Sequence, residues 1–229
     1  MPVFPATPLD VAAAIWFAAT ITLFDILLKS GRFRRHTVAG AMQIQREEWM
    51  RNMAVRDNRL VDTGILQTLS HGNAFFASTS AIAIGGLAAL MGSGDAAQAL
   101  IERIPYVAKS SSALFEMKLV LLGTVFIFAF FKFAWAFRLS HYTGIMIGAT
   151  PIPDGTNAET CERHAKRTAD LIGVAADHAN TGLRSFYYAI AALAWFFHPL
   201  LFILATTWVV AILIRREFFS RSYRIVSRP

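Results

Sequence analysis

Four long apolar runs, at 9–28, 73–91, 113–137 and 186–214, dominate the pattern of hydrophobic and polar positions along the chain. Each is long enough to carry a helix, rising 1.5 Å per residue, across roughly 30 Å of hydrocarbon. The pattern predicts an all-α integral membrane helix bundle, one multi-pass domain over 1–229 with four transmembrane helices. The first run has no basic segment before it and no small-residue cleavage site after it, so it reads as a span rather than a removable leader.

The two longer connections, 29–72 and 138–185, have helical periodicity of their own. Trp49, Met50 and Met53 share a face opposite Glu47, Glu48 and Arg51, and Val61, Ile65, Leu66 and Leu69 form a second apolar stripe. Such amphipathic segments predict helices lying at the membrane surface. Further on, Thr156-Asn157-Ala158-Glu159 has the spacing of a capping box. It predicts a helix through Leu171 and Val174 toward His178, after a turn marked by Pro151, Pro153, Asp154 and Gly155.

Charge sets the orientation. A mean hydropathy of +0.45 with 55% hydrophobic residues fits a bundle in lipid, while a formal net charge of +7 in a soluble chain would suggest nucleic acid. Because the arginines flank the apolar runs, the charge reads as anchoring at lipid headgroups, and no nucleic-acid partner is expected. Lys29, Arg32, Arg34, Arg35, Arg46, Arg51, Arg56 and Arg59 all fall between the first two runs, whereas Arg103 and Lys109 stand between the second and third. The positive-inside rule then puts 29–72 and 138–185 in the cytoplasm, at a bacterial inner membrane, and the N-terminus in the periplasm. Four spans send the C-terminus out as well, yet the tail bears Arg215, Arg216, Arg221, Arg224 and Arg228. The conflict turns on His198-Pro199, where proline removes a backbone donor and clashes with the preceding turn. A kinked single span is expected there, because each half of 186–214 is too short to cross alone. A chain that folds back at the proline is the alternative.

Ala77, Ala81, Gly85 and Ala89, with Ser78 beside them, repeat a small residue at every fourth position of the second run. Such a face predicts close packing of helix backbones, with a pore face in an oligomer as the alternative. Charges within spans are costly, by about 2.5–3.5 kcal/mol at the centre on insertion scales. Asp25, Asn73, Lys132 and Arg184 fall at a similar depth near the cytoplasmic ends of the spans, so a buried polar cluster drawn from all four spans is expected. The other reading has Lys132 snorkelling to headgroups and Asp25 pairing with Lys29 one turn on. His71, His141 and His178 lie toward the same side and are the candidates for haem or metal ligation. No two of them sit at i, i+4 on one helix. No cofactor is predicted, and haem remains an alternative. The chain has no P-loop, dinucleotide fingerprint or nucleophile elbow, and an enzyme is not expected. The lone Cys161 excludes an intrachain disulfide.

Met42, Arg46, Trp49, Met50, Met53, Arg56, Asp57, Arg59 and Asp62, followed by Asn73 and Phe75-Phe76-Ala77-Ser78-Thr79, form a run that resembles the bacterial integral membrane family known as domain of unknown function 599. Phe130-Phe131-Lys132-Phe133 with Arg138, Asn180-Thr181-Gly182-Leu183-Arg184 with Tyr187 and Tyr188, and Ala194-Trp195-Phe196 extend the resemblance over most of the chain. It implies the multi-pass fold and brings no established activity. The matching Arg46, Trp49, Asp62, Asn73, Lys132, Asn180 and Arg184 direct attention to the cytoplasmic membrane edge. The expected function is that of a non-enzymatic bundle that self-associates or serves as an accessory or scaffold subunit of a membrane complex. Its partners would be the lipid bilayer and a second copy or another membrane protein. A small oligomeric channel or transporter for ions or solutes is the alternative, and a haem-binding redox protein the third reading.

Overall fold

A computed structural model describes residues 6–227. These fold into nine α-helices, with no strand among the described residues: α1 (Pro8–Lys29), α2 (Gly31–Arg34), α3 (Val38–Ala54), α4 (Leu60–Gly92), α5 (Asp95–Ile101), α6 (Ser112–Gly148), α7 (Ala158–Leu193), α8 (Pro199–Phe218) and α9 (Arg221–Val226). A 3-10 turn over Ala194–Phe196 joins α7 to α8.

Local chemistry accounts for where the helices start. At α1 the Thr7 hydroxyl accepts from the Asp10 amide at 3.2 Å and the Asp10 carboxylate accepts from the Thr7 amide at 3.0 Å, a reciprocal cap with Pro8 in the first turn. At α8 the His198 ring nitrogen accepts from the Leu200 amide at 3.2 Å, again with a proline in the first turn. Pro199 therefore opens a helix instead of bending one. The box expected at Thr156-Glu159 does not form. The preceding turn presents Asp154 instead, whose carboxylate accepts from the amides of Thr156 at 2.8 Å and Asn157 at 3.0 Å before α7 begins.

Four helices are long and apolar enough to cross a membrane: Pro8–Lys29, Leu60–Gly92, Ser112–Gly148 and Pro199–Val226. The first matches expectation. The second starts well before residue 73, so the stripe of Val61, Ile65, Leu66 and Leu69 is the opening of α4 and not a separate surface helix. The expected fourth span at 186–214 is corrected. Residues 186–193 close α7, and α8 starts afresh at Pro199. Arg216 Nη1 donates to the Tyr187 hydroxyl at 3.2 Å although 29 residues separate them. A continuous helix would hold the two about 43 Å apart at 1.5 Å per residue. The chain folds back, and α7 and α8 form an antiparallel hairpin. The halves looked too short only because the apolar run was cut at 186, whereas α7 begins at Ala158 and α8 continues to Phe218. The hairpin returns the arginine-rich tail to the end of the bundle that holds the arginine-rich first connection, with α9 packed on α3. We call this the basic end.

The centre of the molecule is an antiparallel layer of α4, α6 and α7. Phe76 stacks on Phe133 with ring centres 5.1 Å apart, and Phe186 meets Phe126 edge-on at 5.5 Å. Gly182 permits this approach, since a Cβ there would lie 2.7 Å from the Phe133 ring. The contact between α6 and α7 continues to the basic end, where His164 Nε2 lies 2.8 Å from the Met146 carbonyl. On the other side of α7, α1 pairs with α8. Phe17 packs on Phe202, which stacks on Trp195 at 5.2 Å. A separate core at the basic end gathers Met50 and Met53 of α3, Leu66 of α4, Ile147 of α6, and Ala165, Ala169 and Ile172 of α7. Both methionines are fully buried, as their shared face predicts.

Candidate functional site

Several of the residues behind the family resemblance join α3 to α4. Asp62, in the first turn of α4, is fully buried and accepts from Trp49 Nε1 at 2.7 Å and from Arg56 at 2.6 Å. Arg59 donates to the Thr150 carbonyl at 3.3 Å, which ties the end of α6 to the same corner. Trp49, Arg56, Arg59 and Asp62 thus have a positioning role, fixing α3 across the ends of α4 and α6.

Held in this way, α3 points Arg46 into a cavity of about 200 Å³ shared with Asn73 of α4, Ser140 of α6 and Asn180 of α7. Ala175, Ala176 and Ala179 of α7 line it with small side chains, which leaves the space. Arg46 has no ion-pair partner among the described residues, and its one hydrogen bond is a long 3.5 Å contact to the Gln43 side chain. Gln43 is itself held by the Ala169 carbonyl at 3.2 Å and lies close against Gly173. Burial pushes the Arg46 guanidinium below its ordinary pKa; Asp177 pulls it back up and Arg34 adds to the depression. An arginine stays protonated regardless, so the shift reflects desolvation that the Asp177 charge, itself paired with Arg34, offsets only in part. Asn73 is buried, and neither its amide nor that of Asn180 makes a hydrogen bond among the described residues. Ser140 donates to the Ala136 carbonyl at 2.9 Å, so it offers the cavity an acceptor only. The free donors here are the guanidinium and two carboxamides.

Asp25 and Arg184 form a second polar centre, with Arg184 Nη2 3.2 Å from Asp25 Oδ1 and 2.9 Å from the Thr181 hydroxyl. Beside it Arg34 pairs with Asp177 at 2.7 Å. Asn180 also lines the cavity of this second centre, so it stands between the two. The four-way cluster expected from depth therefore divides. Asp25 meets Arg184, Asn73 faces Arg46, and Lys132 has as its contact the Phe128 ring at 5.0 Å. Equal depth does not fix the direction around a helix axis, and these side chains leave their helices toward different neighbours. Asp25 does not pair with Lys29 either.

The small-residue face takes little part in packing within the chain. Ala77 is half-buried, but Ser78, Ala81, Gly85 and Ala89 are exposed, and nothing lies within 4 Å of a Cβ built on Gly85. α4 turns Leu66, Ser70, Asn73 and Ser80 inward instead, toward the aromatic face of α6. Of the candidate haem ligands, His71 is exposed without a polar or ring contact, His141 packs edge-on against Phe137 at 4.4 Å, and His178 has a buried Nδ1 with no partner. Among the described residues no group of three His, Cys, Asp or Glu could hold a metal ion. Two buried charged residues went unforeseen at the far end. Asp10 accepts from Trp195 Nε1 at 2.8 Å, and the Lys118 ammonium lies over the Trp195 and Phe196 rings at 5.9 and 5.6 Å. The Thr7-to-Asp10 spacing was the available signal for Asp10 as a cap.

Fold and cavities together define an all-α, multi-pass membrane protein with two polar cavities at its basic end. The family model described as "Protein of unknown function, DUF599" matches residues 12–222, and the chain belongs to that family. Arg46, Asn73, Asn180 and the Asp25–Arg184 pair all fall within the match. No curated protein and no solved structure matches the chain.

Proposed function

We propose that this protein is a non-enzymatic membrane bundle that binds a small oxyanion, a carboxylate or phosphate group, in the cavity of Arg46. The observation behind this reading is a partly desolvated guanidinium that forms no ion pair, its neighbour Asp177 being already paired with Arg34, in a cavity lined by two asparagine amides without partners. A guanidinium fork presents parallel N–H donors that match the oxygens of a carboxylate or phosphate. An anion there would offset the desolvation and accept from the free amides. Such a site fits an accessory subunit that responds to a solute, because α3, α4, α6 and α7 each contribute to it and would tighten around a bound ion.

The orientation follows from charge. With the tail returned to the basic end, every arginine-rich segment lies on one side, which supports a cytoplasmic basic end and a periplasmic N-terminus in a bacterial inner membrane. The chain then crosses five times, as α1, α4, α6, α7 and α8, and the C-terminus is cytoplasmic. The oxyanion would enter from the cytoplasm.

Calorimetric titration of the detergent-solubilised protein with phosphate and with acetate tests the site. At least one should bind, and Arg46→Met should weaken it by about one to two orders of magnitude, the loss of a hydrogen-bonded charge. Arg46→Lys, which keeps the charge without the fork, should fall between. Failure of both anions to bind, or an unaltered affinity in Arg46→Met, would overturn the proposal. Flux of the same anion across liposomes would reassign the protein as a carrier. A second reading, self-association through α4, is favoured by the exposure of Ala81, Gly85 and Ala89, which would let two backbones approach closely.

A further inference from the structure

Between α1 and the α6–α7 pair runs a groove of about 440 Å³, distinct from the Arg46 cavity. It exists because α1 packs on α8 and is tied at two polar points, Asp10 to the Trp195 ring nitrogen of the 3-10 turn at 2.8 Å and Asp25 to Arg184 of α7 at 3.2 Å. Between these ties the walls are mostly apolar, with Phe17 and Ile21 of α1 facing Leu121 and Val125 of α6 and the hydroxyls of Thr22, Thr124 and Ser185 among them. In a bilayer such a slot fills with hydrocarbon, which by itself says nothing about selection.

The polar end of the groove carries charge. Lys29, at the end of α1, lines both the groove and the adjoining cavity of Arg184, and it has no ion pair or hydrogen bond among the described residues. Arg184 is offset by Asp25 and Arg34 by Asp177, so Lys29 is the charge left over. Arg184 Nε is buried with no acceptor. The Tyr188 hydroxyl, on a residue only 5% exposed that lines the groove, is also buried with no hydrogen-bond partner. Tyr188 is four residues beyond Arg184 on α7, about 6 Å along the axis. From the basic end inward, the groove thus presents the Lys29 ammonium, with the Arg184 guanidinium in the adjoining cavity and the Asp25 carboxylate turned to Arg184, then a phenol, then mostly apolar walls. A phospholipid has the same order of groups: a phosphate, then ester carbonyls, then an acyl chain.

We propose that the groove holds one anionic phospholipid of the surrounding bilayer, its phosphate between Lys29 and Arg184, an ester carbonyl accepting from Tyr188, and an acyl chain lying along Phe17, Ile21, Leu121 and Val125. The surplus cation favours an anionic headgroup over a zwitterionic one.

The full chain, purified in mild detergent and equilibrated with vesicles of equal parts phosphatidylglycerol and phosphatidylcholine, should retain phosphatidylglycerol in preference, read by mass spectrometry of the extracted lipid. Lys29→Ala changes an exposed residue and should reduce that preference by about fivefold, the effect of one basic residue near a charged surface. Ile21→Trp, which fills the groove, should remove bound lipid of both kinds while phosphate or acetate binding at Arg46 persists. Equal retention of the two lipids by the wild type, or a preference untouched by Lys29→Ala, would overturn the proposal. Displacement of the lipid by inorganic phosphate alone would overturn it too, since the headgroup would then be bound without need of the groove.

Discussion

Asp25 and Lys132 carry opposite charges at similar depth, yet each has a different answer to its burial. Asp25 pairs with Arg184, while Lys132 rests on the face of Phe128. The two sites are therefore separate, and Asp25→Asn combined with Lys132→Met should give additive losses of stability, within about 0.3–0.5 kcal/mol. Arg184→Met differs, because it strands a mostly buried carboxylate; thermal unfolding in detergent should register a loss of about 3–5 kcal/mol. A coupling between Asp25 and Lys132 larger than that between Asp25 and Arg184 would refute this assignment. Arg46 is the contrasting case. No side chain forms an ion pair with it, and that difference is what separates a candidate binding residue from the structural pairs around it.

Among the elements, α7 does the most to organise the molecule and is the one whose composition disguised it. Asp177, Thr181, Arg184 and Tyr188 recur at helical spacing on one face, so its average hydropathy is low although it packs beside α6 along much of its length. Its opposite face depends on Gly182. Gly182→Ala places a methyl group against the buried Phe133 ring and should cost about 1–3 kcal/mol as an overpacked contact. Gly85→Leu, by contrast, extends into open space on α4 and should leave unfolding within about 0.5 kcal/mol of wild type. If the second reading of the function holds, Gly85→Leu will still abolish cross-linked dimers. Unchanged stability in Gly182→Ala would mean that α6 and α7 are not in the close contact described.

For the whole molecule, the proposed five crossings put the tail on the cytoplasmic side. Labelling with an impermeant thiol reagent in intact cells can read this, but Cys161 is buried and would resist labelling on either side. A Cys161→Ser background with exposed probes is needed. Tyr106→Cys, in the connection before α6, should label from outside, while Glu159→Cys and Ile225→Cys should remain protected until the membrane is permeabilised. Labelling of Ile225→Cys in intact cells would put the tail outside and remove the charge argument for five crossings.

The sequence by itself determined the class of the protein. Long apolar runs commit a chain to helices that satisfy their own backbone in lipid, and local patterns such as the Trp49, Met50 and Met53 face need only the periodicity of one helix. The family motifs likewise led to Arg46, Asn73 and Asn180 individually. Only the tertiary structure decided that these three share one cavity while Asp25 and Arg184 form another centre, because direction around a helix axis depends on which neighbour each helix packs against. It also decided the reversal at Pro199. A proline in a helical run is compatible with a kink or with a new first turn, and the choice rested on whether the arginine-rich end of α8 finds Tyr187 and α3 beside it. The outward turn of the small face of α4 has the same origin: the aromatic rings of α6 took the other face.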